Sequence, residues 1–163
     1  MRHLALNDCI SRAFGAAGIP VRKEPAGLVQ KDGKHPDGCT LIPRRGGRPL
    51  AWDVTVCTTV AASYVTAASQ SAGAAAKQLA ESKSLIYAEL SAADEFQPVA
   101  VETHGPTDEA TISFISELAR KISEYSDEPL DSRYFFQRVS MLIQRYNSIL
   151  FRETFPAEDE IDT

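Results

Sequence analysis

The stretch from His35 to Cys57, HPDGCTLIPRRGGRPLAWDVTVC, leaves this chain the least conformational choice. Two apolar runs, Gly38 to Pro43 and Pro49 to Val56, flank Arg44-Arg45-Gly46-Gly47, and glycines at such a tip supply the positive φ of a tight hairpin turn. A turn centred between Arg44 and Gly47 sets Asp37 opposite Asp53, or within one residue of it, in an antiparallel ladder. Along the second strand Leu50, Trp52, Val54 and Val56 alternate with Asp53 and Thr55, so Asp53 is expected to face away from the side that Trp52 packs against.

Two carboxylates held close repel unless a positive charge lies between them or one of them takes up a proton. A divalent cation such as Mg²⁺, which prefers hard oxygen ligands and completes its shell with water and phosphate, meets that need and suits phosphodiester hydrolysis. The competing interpretation makes Asp37 a turn residue after Pro36 and Asp53 a solvated strand residue. Spacing alone does not separate the two.

The wider wording adds a resemblance. Pro36-Asp37 followed by Asp53-Val54-Thr55 at the end of the next strand looks like the PD-(D/E)xK signature of restriction-endonuclease-like nucleases. Arg2-His3 opening a helix, Glu24-Pro25, Lys34-His35-Pro36-Asp37-Gly38, Trp52-Asp53-Val54-Thr55-Val56 and Lys83 four residues before Tyr87 come in an order that resembles one group of them. This is the endonuclease domain that follows the reverse transcriptase in site-specific non-LTR retrotransposons and related invertebrate proteins. The match spans Arg2 to Gly105.

The resemblance implies metal-dependent nicking of double-stranded DNA, with Asp37 and Asp53 holding Mg²⁺ or Mn²⁺, the Val54 carbonyl as a further ligand and Glu24 assisting. The wider family places a lysine two residues after the second acid, where this chain has Thr55. In the retrotransposon group the following helix supplies that lysine, shortly before a tyrosine; Lys83 matches this place, and Lys77 is the reserve. A lysine there orients the attacking water or offsets developing charge, although lysine on an Ala-rich helix is commonly just solvated. The nick primes reverse transcription in the resembling elements, which makes a polymerase domain an implied partner and the nucleus the implied location.

Length and charge bound these expectations. A chain of 163 residues that is 44% hydrophobic can bury one sizeable core, so a single domain over 1–155 is expected, with an acidic, disordered tail over 156–163. Cys9, Cys39 and Cys57 lack zinc or disulfide-framework spacing and suggest a reducing, intracellular compartment. Apolar runs long enough to span a membrane are absent. The formal charge of −5 is unevenly spread: residues 1–60 carry nine Lys/Arg against five Asp/Glu, and residues 61–163 carry eight against seventeen. Lys31, Lys34, Arg44, Arg45 and Arg48, together with Arg22 and Lys23, gather near the hairpin and are the candidate contacts to DNA phosphates. Charged hairpin tips are also common without any such role.

In chain order, Leu4, Leu6, Ile10, Ala13, Phe14 and Ala17 predict an amphipathic helix over 2–17, and Pro20 opens an extended segment that Pro25 stops. Glu24 therefore ends a strand, where it either supports a metal or pairs with Arg22 or Lys23. Leu28 to Gly33 reads as a polar turn, and 58–73 as a loop with a short helical piece. Residues 73–90 predict a helix with Leu79, Leu85, Ile86 and Leu90 on one side. Phe96 to Thr103 predicts a strand beside the hairpin, reached by a crossover helix, with Glu102 and His104 at its end as supporting positions. Two helices follow, one with Ile112, Ile115, Leu118, Ala119 and Ile122 on a stripe, the other running from Asp131 to about Phe151 with Phe135, Val139, Leu142, Ile143, Tyr146 and Leu150.

The expected architecture is α/β: a restriction-endonuclease-like core of helix, three-stranded antiparallel start, helix and strand, plus two C-terminal packing helices. Three functions stay open: a Mg²⁺- or Mn²⁺-dependent DNA endonuclease, a catalytically inactive nuclease-fold module that binds DNA or protein, and an α/β interaction domain with no metal.

Overall fold

The computed structural model of the chain describes residues 2–26, 35–44, 46–58, 62, 65–88, 94–103 and 107–154. Its elements are α1 (Arg2–Ala16), β1 (Val21–Lys23), β2 (Gly38–Thr40), β3 (Leu50–Cys57), α2 (Val65–Gln70), α3 (Ala74–Ile86), β4 (Glu95–Glu102), α4 (Glu109–Ser126) and α5 (Asp131–Thr154). The strands form one sheet in the order β1-β2-β3-β4. The first three are antiparallel neighbours, and β4 runs parallel to β3 from Leu50↔Glu95 to Cys57↔Glu102. The mixed α/β class and the order of the sheet agree with expectation. The proposed turn at 28–33, Arg45 at the hairpin tip and the acidic end at 156–163 lie outside the described residues.

Strand β3 is the axis of the molecule because helices cover both its faces. Leu50, Trp52 and Val54 face a core built with Leu6, Ile10 and Phe14 of α1 and with Phe114, Ile115 and Leu118 of α4. The alternate residues face α3. Burial on both sides from Leu50 to Val54 and again at Cys57 is why β3 tolerates Ala51 and Cys57 among its larger residues, as strands inside α/β layers do. Trp52 fills the centre of the first face: its ring stacks on Phe14 at a centroid distance of 4.9 Å and its Nε1–H donates to Asn7 Oδ1 at 2.9 Å. Gly38 sits opposite Trp52 in the ladder, and a Cβ there would overlap the indole. That packing, rather than a special φ, is what requires glycine after Asp37.

Gly46 and Gly47 adopt φ of 58° and 73° at the hairpin tip, as the turn demanded. Strand β4 closes the far edge of the sheet, and threonines satisfy its free backbone: Ala100 N–H donates to Thr111 Oγ1 at 3.1 Å, and Thr107 Oγ1 donates to Ala100 O. This contact turns the start of α4 away from the expected stripe. Thr111 and Phe114 are buried, while Ile112 is 48% exposed. Leu4 of α1 is likewise exposed, whereas Phe135 and Val139 of α5 are buried as expected. None of the described helices is long and apolar enough to cross a membrane.

Candidate active site

The hairpin register places the two acids. Gly38 pairs with Trp52 on the last rung of the ladder, and Asp37, one residue outward, donates its N–H to Trp52 O at 2.9 Å, which sets it within one residue of Asp53. Strand β2 ends there while β3 runs on, which leaves the Val54 N–H without a ladder carbonyl. The Asp37 side chain supplies the acceptor: its Oδ2 takes the Val54 N–H at 2.6 Å. A strand residue sends its N–H and C=O to the same edge, so the Val54 carbonyl leaves the sheet on the Asp37 side.

Each acid is met by a cation-forming side chain from a different helix. His3, in the first turn of α1, brings Nε2 to 2.8 Å from Asp37 Oδ2. Lys83 of α3 brings Nζ to 2.9 Å from Asp53 Oδ2, an ion pair whose carboxylate side is 6% exposed. Thr55 Oγ1 donates to that same oxygen at 3.3 Å. The Tyr87 hydroxyl lies 3.3 Å from Asp53 Oδ1 and 3.1 Å from His35 O, so one proton is shared between two acceptors. Burial pushes the Asp37 carboxyl above its ordinary range and the Asp53 charge adds to this, while the Val54 N–H and His3 pull it back. An open cavity of about 410 Å³ lined by Arg2, His3, Asp53, Val54, Thr55, Val56 and Lys83 gives this edge access to solvent.

Helix α3 reaches the site by a face other than the leucine side. Leu85 is 78% exposed and Ile86 is exposed as well, while Ala75, Ala76, Ala80 and Tyr87 are buried. Ala76 and Ala80 pack directly on Ala100 of β4. Small residues on both surfaces let the helix lie close to the sheet, and the same face continues through Lys83 to Tyr87 at helical spacing. Close approach is what brings a lysine amine to a carboxylate on β3. The Tyr87 ring, packed on Phe96 with centroids 4.5 Å apart, steadies that end of the helix.

Several expected members stand elsewhere. Glu24 is next to Asp37 along the sheet, with its N–H donating to Asp37 O at 3.0 Å, but its φ of 45° turns it out of the strand line and its side chain is exposed. Among the described residues no three of His, Cys, Asp and Glu gather as an ion-binding cluster, so Glu24 does not complete one. Lys77 is exposed two turns before Lys83, in a cavity shared with the start of α4. Glu102 is buried and accepts the Ala76 N–H at 3.2 Å, which ties α3 to β4. Lys31, Lys34, Arg45 and His104 lie outside the described residues, and Arg48 is exposed near the tip.

Arg44 is engaged within the protein rather than presented to solvent. Its guanidinium is 11% exposed, pairs with Glu95 at 3.4 Å and with Glu117, and sits 5.8 Å from the Phe114 ring centroid. It fastens the hairpin tip to β4 and α4. Arg44→Ala is therefore expected to cost about 2–3 kcal/mol, because two partly buried carboxylates lose their counter-charge, and to leave intrinsic DNA affinity unchanged. Urea unfolding and DNA titration of the same variant check the two halves.

His3 and Tyr87 were not assigned roles from the sequence. Tyr87 carried a usable signal, its position four residues after Lys83; His3, 34 residues before Asp37, carried none beyond its place in the resemblance.

The donor set suits a hard divalent cation. Asp37 Oδ1 makes no hydrogen bond among the described residues although its side chain is 13% exposed. Two carboxylates near enough to feel one another's charge, with the Val54 carbonyl on the same edge, match the habit of Mg²⁺ of taking one or two carboxylates and keeping several waters. No protein-family model matches the chain, and no curated protein matches it.

Proposed function

We propose that this protein is a metal-dependent endonuclease that hydrolyses DNA phosphodiester bonds, of the restriction-endonuclease-like type found beside reverse transcriptases in site-specific non-LTR retrotransposons. The observation that carries this is that Asp37 takes the Val54 N–H beside Asp53, near enough for each acid to feel the other's charge, while Asp53 and Lys83 pair in a cavity open to solvent. Asp37, Asp53 and the Val54 carbonyl would hold Mg²⁺ or Mn²⁺, which when bound would supply Lewis acidity and lower the pKa of a coordinated water. Lys83 places a positive amine beside Asp53, where it can orient the attacking water or offset charge developing on the phosphate. Tyr87 and Thr55 hold the Asp53 carboxylate in one orientation from its two oxygens. His3 and the Val54 N–H both hold Asp37 through one oxygen, Oδ2, which leaves Oδ1 for the cation.

Supercoiled plasmid incubated with the protein and Mn²⁺ should be converted to the nicked form, and EDTA should stop the conversion. Plasmid left intact over a range of Mg²⁺ and Mn²⁺ concentrations would count against catalysis. One observation favours a second reading, a nuclease-like fold that binds DNA without cutting it. Lys83 already neutralises Asp53 at 2.9 Å, so the buried charge is balanced by the chain itself. DNA retardation without nicking identifies that case. An origin beside a polymerase domain and a nuclear site of action belong to the same proposal.

The acids also govern stability. The pKa of Asp37 is raised above 3.8, so the native state keeps this proton to higher pH than the unfolded chain does. Stability contributed at this group is therefore lost as pH rises through the window between the unfolded and the folded value. Asp37→Asn, which cannot ionise, is expected to flatten that part of the pH–stability curve and to exceed the parent in stability above the window. Urea midpoints measured in EDTA from acid to neutral pH check this. Added Mn²⁺ should raise the melting temperature of the parent but not of Asp37→Asn.

A further inference from the structure

The arginines of α1 and α5 form a surface that the hairpin-centred view of charge does not include. Arg2, Arg12, Arg133, Arg138, Arg145 and Arg152 stand on these two helices against three acids, Asp8, Asp131 and Glu153, in a chain whose formal charge is −5. The helices run antiparallel. At one end of their seam Arg2 donates to Asn147 Oδ1 at 3.4 Å; at the other, Arg12 and Ala16 face Arg138 and Asp131 across a groove of about 640 Å³. Ala13, Phe135 and Leu142 floor the groove, and Arg12, Arg138 and Arg145 rim it.

Arg138, Arg145 and Arg152 recur at seven-residue intervals, which puts them on one helical face about 10 Å apart. All three are exposed, and among the described residues neither Arg138 nor Arg145 makes an ion pair. Arg12 is the exception, held by Asp8 at 2.6 Å. The seam leads to the candidate active site, since Arg2 at its end also lines the cavity of Asp53 and Lys83.

We propose that the α1–α5 face, through Arg138 and Arg145, binds the phosphate backbone of the duplex that flanks the candidate active site, an inference that rests on the endonuclease reading of that site. Planar guanidinium forks suit phosphate oxygens. Free arginines in line with a hydrolytic site track a polyanion passing over it, and the burial of Arg44 withdraws one of the hairpin arginines from that task. An acidic protein segment is the rival occupant, because the groove floor is apolar.

The test measures binding of the full chain to a short labelled duplex in EDTA, over a series of salt concentrations. The variant Arg138→Gln/Arg145→Gln is compared with Lys121→Gln on α4, and thermal melts confirm that both fold. The double variant is expected to lose on the order of tenfold in affinity at moderate ionic strength, and the slope of log K against log salt is expected to shrink by about 2. Lys121→Gln should match the parent. Unchanged affinity and slope in the double variant would overturn the proposal and leave the groove to a protein partner; so would a parent that does not bind duplex at all. If the double variant binds more weakly but the parent never nicks plasmid in Mn²⁺, the arginine face stands as a DNA-binding surface and the endonuclease reading alone fails.

Discussion

Asp53→Ala is expected to lower Mn²⁺-dependent plasmid nicking by on the order of a thousandfold, since the proposed function gives this one carboxylate both the cation to hold and Lys83 to position. Asp53 is 5% exposed and touches Lys83, Thr55 and Tyr87, so no neighbouring side chain can slide in to replace it. Asp53→Asn keeps the shape but not the charge and turns one of the two accepting oxygens into a donor, so its activity should fall almost as far. Lys83→Ala should lose on the order of a hundredfold, the scale for removing one transition-state donor. Initial rates at saturating Mn²⁺, on preparations whose folding has been checked by circular dichroism, give the comparison. Full nicking by Asp53→Ala would place the chemistry somewhere other than this edge.

Trp52→Ala is expected to remove about 3–5 kcal/mol of stability, the cost of emptying a large buried aromatic site that cannot collapse. The indole is 0% exposed, is stacked on Phe14 and covered by Gly38, and its loss also strands the Asn7 carboxamide oxygen. Gly38→Ala attacks the same contact from the other side by overpacking, with an expected cost of roughly 1–3 kcal/mol. Both substitutions lie next to the acids in the ladder, so destabilisation and loss of nicking should travel together in them, whereas Asp53→Asn should lose nicking with the fold retained. Chemical denaturation monitored by circular dichroism separates these cases. A loss below about 1 kcal/mol in Trp52→Ala would contradict the packing described.

The parts of the molecule that were legible in advance share one property: they depend on residues near one another in the chain. Two glycines between two apolar runs forced a hairpin, and its register then carried Asp37 to within one residue of Asp53. Helices α1, α4 and α5 announced themselves by apolar spacing, with errors of a residue or so in which side faced inward. The errors have identifiable causes. Thr111 displaced Ile112 because Ala100 at a sheet edge needed a hydrogen-bond partner more than the core needed another isoleucine. In α3 the alanines won the inward face over Leu85, because close approach to Ala100 outweighed side-chain bulk.

Charge was the least legible property. A count along the chain put the positive region at the hairpin, yet Arg44 is consumed by Glu95 and Glu117, and a further line of exposed arginines stands where α1 meets α5. Which acid meets which cation depends on pairs far apart in sequence, such as His3 with Asp37 or Arg44 with Glu117, and no local period encodes them. Strand register follows from short-range geometry and could be read from one segment of the chain. The side chains that meet the two acids, and the line of arginines leading to them, come together only once helices far apart in the chain have packed on the sheet, because electrostatic partners are chosen by distance in space.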